Sequence, residues 1–92
     1  MINGDVQEFV EWIHYGFDLI FTFRGRKYFM QGYVGDDGKH TTFLDQWEPT
    51  REALIWEGKG DEAYPVEEFL AQKLWDGMDF WEAEKEIEWV DE

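Results

Sequence analysis

Residues 17–48, FDLIFTFRGRKYFMQGYVGDDGKHTTFLDQWE, decide the fold of this 92-residue chain. Phe17, Leu19, Phe21 and Phe23 alternate with Asp18, Ile20, Thr22 and Arg24, the period of two that sends one set to each face of a strand. Gly25, inside Arg24–Lys27, supplies a tight turn, and Tyr28 to Val34 form the returning strand of a hairpin. Gly35-Asp36-Asp37-Gly38 is a second turn, with two glycines able to take positive φ. His40 to Glu48 alternate again, with Thr41, Phe43 and Asp45 opposed to Thr42, Leu44 and Gln46. The pattern predicts a three-stranded antiparallel meander, which Pro49 stops because proline brings no N–H to a ladder.

Helical spacing lies on either side. Over residues 5–15, Val6, Phe9, Val10 and Ile13 make an apolar stripe that Phe17 extends. Asp5 and Glu8 have the spacing of a capping box, and Gly16 stands where a left-handed C-terminal cap belongs. Beyond the meander, Arg51 to Glu57 read as a short fourth strand or one helical turn, and Gly58 to Glu62 as a flexible loop. Pro65 suits the first turn of a helix running to about Trp75, with Val66, Phe69, Leu70 and Leu74 as its stripe and Gly77 as its end. Asp79 and Glu82 repeat the capping-box spacing, and Phe80, Ala83, Ile87 and Val90 continue a helical stripe. The last five residues also alternate as a strand would, Ile87, Trp89 and Asp91 against Glu86, Glu88 and Val90. The expected fold is a single α+β domain over residues 1–92, with an N-terminal helix, the three-stranded β-meander and two C-terminal helices. All the helices pack on the phenylalanine face of the sheet.

Composition sets the energetic terms. A chain of this length buries roughly 60–65% of the surface its unfolded form exposes. Six Trp, four Tyr and eight Phe compensate for that, each ring burying about 150–250 Å². There are 22 acids against 8 lysines and arginines, a net charge of −14. Residues 50–92 hold fourteen of the acids, so the charge concentrates in the C-terminal half. Such a surface repels nucleic acid and anionic membranes and attracts basic partners. Cysteine is absent, which removes disulfides and thiolate metal sites and fits a reducing compartment. With no basic stretch leading into a long apolar run, the expectation is a soluble, cytoplasmic protein.

Catalysis finds little support in these residues. Serine and cysteine are both absent, which removes the commonest covalent nucleophiles. His14 sits on the flank of the first helical stripe as a partly buried packing residue, and His40 begins the third strand. Asp36-Asp37-Gly38 lacks the later ligands and closing glutamate of a calcium loop. Gly58-Lys59-Gly60 carries no phosphate fingerprint. The expectation is a non-enzymatic protein with no cofactor and no metal.

Binding is the remaining activity. Carboxylates spaced on a rigid surface imitate the phosphates of a duplex, and Trp is enriched where interfaces are strongest. The candidate contacts are Asp76, Asp79, Glu82, Glu86 and Glu88 in the C-terminal segment, with Glu67 and Glu68 before them. Asp36, Asp37, Asp45 and Glu48 form a second group on the turn and third strand. Trp47 and Trp81 are the leading aromatic anchors, ahead of Trp56, Trp75 and Trp89. Trp12 and Trp81 both lie off their helical stripes, which places at least one of them in an exposed patch. Arg24, Arg26 and Lys27, the one basic cluster, read as a solvated hairpin tip. The partner expected is a basic protein surface, in the sharpest form that of a nucleic-acid-binding enzyme, with no direct contact to nucleic acid. A self-associating adaptor that uses an aromatic patch is the alternative.

The run Phe23-Arg24-Gly25-Arg26-Lys27-Tyr28-Phe29, the acidic glycine turn, Val66-Glu67-Glu68-Phe69-Leu70 and Asp76-Gly77 resemble a family of small acidic proteins, mostly uncharacterised. These occur in Firmicutes and in their phages and mobile elements. In element order and charge the chain is also similar to a small acidic type II-A anti-CRISPR protein. That similarity implies an inhibitor that mimics DNA charge and blocks the basic DNA-recognition groove of a nuclease.

Overall fold

Arg24 and Gly25 both adopt positive φ, 47° and 79°, the backbone of a two-residue turn whose twist matches the strands it joins. That turn fixes the register of β1 (Leu19–Phe23) against β2 (Arg26–Val34), with Phe23 opposite Arg26 and Leu19 opposite Met30. In the computed structural model, which describes residues 1–90, β3 (His40–Glu48) pairs antiparallel with β2 beyond the Gly35–Gly38 turn. Gly38 alone of that turn's two glycines has positive φ, at 79°.

The sheet extends past the expected meander to five strands, all antiparallel, in the order β4-β3-β2-β1-β5. β4 (Trp56–Gly60) lies beside β3, so Gly58 to Gly60 belong to a strand rather than a flexible loop. Glycine hides this strand from the sequence because close packing demands it there. A Cβ on Gly58 would stand 2.6 Å from the Trp56 ring, and one on Gly60 would collide with the carbonyl oxygen of Ala63. β5 (Glu88–Val90) pairs with β1 and realises the extended alternative for the last residues; Asp91 of that alternation lies outside the described residues. Ile2 bridges the outer side of β5, its amide donating to the Ile87 carbonyl and its own carbonyl accepting from the Trp89 amide, both at 2.9 Å.

α1 (Val6–Tyr15) forms as expected. Asp5 caps it by accepting from the Gln7 amide, and Gly16 closes it at φ 75°. The reciprocal capping box forms instead at Asp79 and Glu82, ahead of α3 (Phe80–Ala83). The two C-terminal helices are shorter than their stripes. α2 (Val66–Ala71) stops at Gln72, well before Trp75, and α3 passes into a single 3-10 turn at Glu84–Glu86. Residues 75–78 form a tight turn with Asp76 at φ 53° and Gly77 at 88°, closed by paired bonds between Trp75 and Met78. Packing outweighs helical periodicity here. The turn seats Trp75 at 0% exposure, in ring contact with Phe21, Phe23, Tyr28 and Phe69.

All three helices cover one face of the sheet. Leu19, Phe21 and Phe23 of β1, Tyr28 and Met30 of β2 and Leu44 of β3 meet Phe9 and Ile13 of α1, Val66, Phe69 and Leu70 of α2, and Phe80 of α3. Phe17, expected in that row, precedes the strand and is exposed. Among the described residues no helix is long and apolar enough to cross a membrane.

Candidate partner-binding surface

The opposite face of the sheet carries the other half of each alternation: Ile20, Phe29, Tyr33, Phe43 and Trp47, with Val90 opposite Ile20. Phe29 stacks on Trp47 at 4.7 Å and 10°, and Phe43 joins Phe29 at 5.9 Å to Tyr33 at 6.2 Å. Among the described residues, the ring contacts of Phe29, Phe43, Tyr33 and Trp47 are with one another. Trp47 stays 39% exposed and Tyr33 43%, in contrast to the fully buried rings beneath the helices. An uncovered aromatic row of this kind is the usual mark of an interaction site.

Carboxylates frame the row. Asp45 lies opposite Phe29 in the β2–β3 ladder, and Glu88 lies opposite Thr22. Asp18 accepts from the Gln31 side-chain amide at 2.8 Å, and Glu88 from that of Asn3 at 2.7 Å. Both donors are neutral amides. Asp36 is exposed in the β2–β3 turn and Glu48 at the end of β3. Neither they nor Asp18, Asp45 and Glu88 form an ion pair among the described residues.

Most of the remaining candidate acids are engaged within the fold. Arg24 donates to both oxygens of Glu86, at 2.9 and 2.8 Å, and to Asp76 at 3.2 Å, while Arg26 donates to Asp76 at 2.8 Å. Both guanidinium groups also lie over the Phe23 ring, at 5.1 and 5.5 Å. The hairpin tip is therefore an ion-pair knot rather than a solvated turn. The hydrogen bonds from Arg26 and Arg24 hold the Asp76 carboxyl below the usual carboxylate range. Those from Arg24 lower Glu86 in the same way, and the two carboxylates raise Arg24 in return. Asp37 is lowered by the Lys39 amide and by Lys59, which donates to it at 3.2 Å. Asp79 and Glu82 cap α3, and Glu67 and Glu68 are exposed in the first turn of α2.

Of the aromatic candidates, Trp47 lies on the uncovered face, and Trp81 is 46% exposed on the helical side against Phe80. Trp75 is wholly buried, and Trp56 and Trp89 pack against the core. His14 is exposed rather than partly buried. His40 packs edge-on against Tyr64 at 5.0 Å. No group of three or more His, Cys, Asp or Glu able to hold a metal occurs among the described residues. Asp45 and Trp47 are thus brought to one surface, while Asp76 and Glu86 gather at the hairpin knot. Sequence reasoning passed over Phe29, Phe43 and Tyr33. Their signal was an apolar residue on the second phase of the same strands, which marks a second face that needs covering.

A cleft of about 630 Å³ at the end of β5 is lined by Trp12, Trp89 and Glu8 from the helix-covered side of the sheet and by Asp18, Ile20, Phe29, Trp47 and Val90 from the uncovered side. No protein family, no curated protein and no solved structure matches this chain.

Proposed function

We propose that this chain is a non-catalytic binding module that recognises a basic protein surface through the uncovered face of its sheet. One arrangement carries the reading: rings in mutual contact, two of them about two-fifths exposed, framed by Asp18, Asp45 and Glu88, which form no ion pair among the described residues. Apolar contact supplies the area, and the carboxylates select a cationic surface and speed encounter with it. In its narrowest form the partner is a nucleic-acid-binding enzyme. The chain is then a phage or mobile-element inhibitor that mimics DNA charge and blocks the enzyme's basic groove, as the anti-CRISPR resemblance implies.

The test compares tagged wild-type protein with a Phe43→Ala/Trp47→Ala variant in capture from bacterial lysate. The expected result is a basic nucleic-acid-binding protein that salt releases, duplex DNA competes away and the double variant fails to hold. Capture indifferent to salt and to the double substitution rules the reading out.

Self-association is the second reading, favoured by the exposure of Tyr33 and Trp47 at the two ends of the ring row. A net charge of −14 on each copy opposes it at low salt. Sedimentation velocity decides: a dimer that strengthens with salt and disappears with Trp47→Ala supports this second reading over the first.

A further inference from the structure

β4 is a terminal strand of the sheet, and among the described residues no strand or bridge lies along its outer side. Unpaired N–H and C=O groups on such a margin are a template for another chain. The residues of that margin, Trp56-Glu57-Gly58-Lys59-Gly60, limit what fits there. Glu57 and Lys59 are its exposed side chains, and both share the uncovered face with the residues opposite them, Phe43 and Thr41. Trp56 turns the other way, against Phe69, with its ring 2.6 Å from where a side chain on Gly58 would begin.

A second copy of the chain meets this strand in a self-complementary register. Directly opposed residues of antiparallel strands share a face, and successive residues alternate between faces. A two-fold axis relating two β4 strands therefore passes through a residue, never between two. An axis at Glu57 or at Lys59 sets like charges against each other, which is unfavourable. An axis at Gly58 sets Glu57 of each copy against Lys59 of the other, and Trp56 against Gly60. Within a chain of net charge −14, β4 carries one acid and one base, so contact here avoids setting acid against acid. Glu57 forms no ion pair among the described residues. Lys59 donates to Asp37 at 3.2 Å, and an ammonium has three donors, enough for both carboxylates. We propose that two copies join edge to edge through β4, about a two-fold axis at Gly58. Both ring rows then face the same side of one continuous sheet.

The contact spans five residues of each copy. That is small for an interface, so the dimer is weak, with a Kd on the order of 0.1 mM. Sedimentation velocity, run to concentrations well above that value, measures it. Lys59→Glu and Glu57→Lys are each expected to weaken the dimer roughly tenfold, because each turns both Glu–Lys contacts into like-charge contacts. Glu57→Lys does so while lowering the net negative charge, the opposite of what general repulsion predicts. An equimolar mixture of the two variants restores association, as does the double exchange Glu57→Lys/Lys59→Glu, and Trp47→Ala leaves the dimer intact. A monomer at every concentration, a dimer strengthened by Glu57→Lys or unmoved by either substitution, or one that Trp47→Ala abolishes overturns the proposal. So does failure of both the mixture and the double exchange to recover it. Capture of a basic protein by the ring row is decided separately.

Discussion

The two faces of the sheet are built from similar residues and have different fates. Beneath the helices, Phe9, Phe21, Phe23, Phe69, Trp75 and Phe80 are at 0% exposure. On the reverse, Phe29, Tyr33, Phe43 and Trp47 touch mainly each other and stay partly open. An aromatic fraction of 20% therefore does not measure core size. What separates the faces is the cover over them, because among the described residues all three helices pack on the same side. A second contrast runs along the molecule. The hairpin tip carries both signs of charge and cancels them, whereas Asp18, Asp45 and Glu88 form no ion pair among the described residues.

The largest effect should come from removing a ring on each face. Trp75→Ala is expected to lower unfolding free energy in urea by ~3–5 kcal/mol. Trp47→Ala loses chiefly its stacking on Phe29 and should cost about 1 kcal/mol. Equal losses would show that the uncovered face is a structural core after all, and the contrast would be broken. Neighbouring residues of β2 give a smaller version of the same test. A Cβ on Gly32 would lie 2.7 Å from the Gly16 Cα and as near the Tyr64 ring, so Gly32→Ala should cost ~1–3 kcal/mol. Gln31→Ala, directed to the uncovered face, should stay within about 0.5 kcal/mol.

Salt sharpens the electrostatic half of the comparison. Screening of the −14 net charge should raise the midpoint of thermal unfolding, while it weakens capture of a basic partner. Two responses of the same sign would mean that the uncompensated carboxylates take no part in binding. The smallest effect concerns the hairpin knot, whose groups are all at the surface. Asp76 and Glu86 have lowered folded-state values, so their contribution is complete above the usual carboxylate range and disappears as pH falls through the lowered values. Arg24→Gln should therefore be slightly destabilising at neutral pH in thermal melts, and the gap should close in acid. A gap independent of pH would assign the effect to backbone strain at Arg24, where φ is 47°.

Much of this was legible in the chain. Period-two alternation located β1, β2 and β3, and Asp5 with Gly16 bounded α1. β4 was obscured because Gly58 and Gly60 carry no alternating side chains, their size being set by Trp56 and by the Ala63 carbonyl. The ends of α2 and α3 were misjudged because Leu74 and Ile87 recur at helical spacing, yet Leu74 packs on the core from beyond α2 and Ile87 is buried from the approach to β5. For the surface, Trp47 and Asp45 were readable as residues, but their grouping with Phe29 and Phe43 depends on strand register. The pairing of Asp76 and Glu86 with Arg24 spans 52 and 62 residues. Composition carries no trace of such long-range neutralisation.

The bridge from Ile2 to β5 has a consequence for assembly. With the outer hydrogen-bonding groups of residues 87 and 89 already engaged, the margin of the sheet that carries no such bridge among the described residues is that of β4, where an incoming strand can pair. Two copies joined there would each present their blocked side outward, so lateral addition terminates at a pair and does not propagate into a fibre.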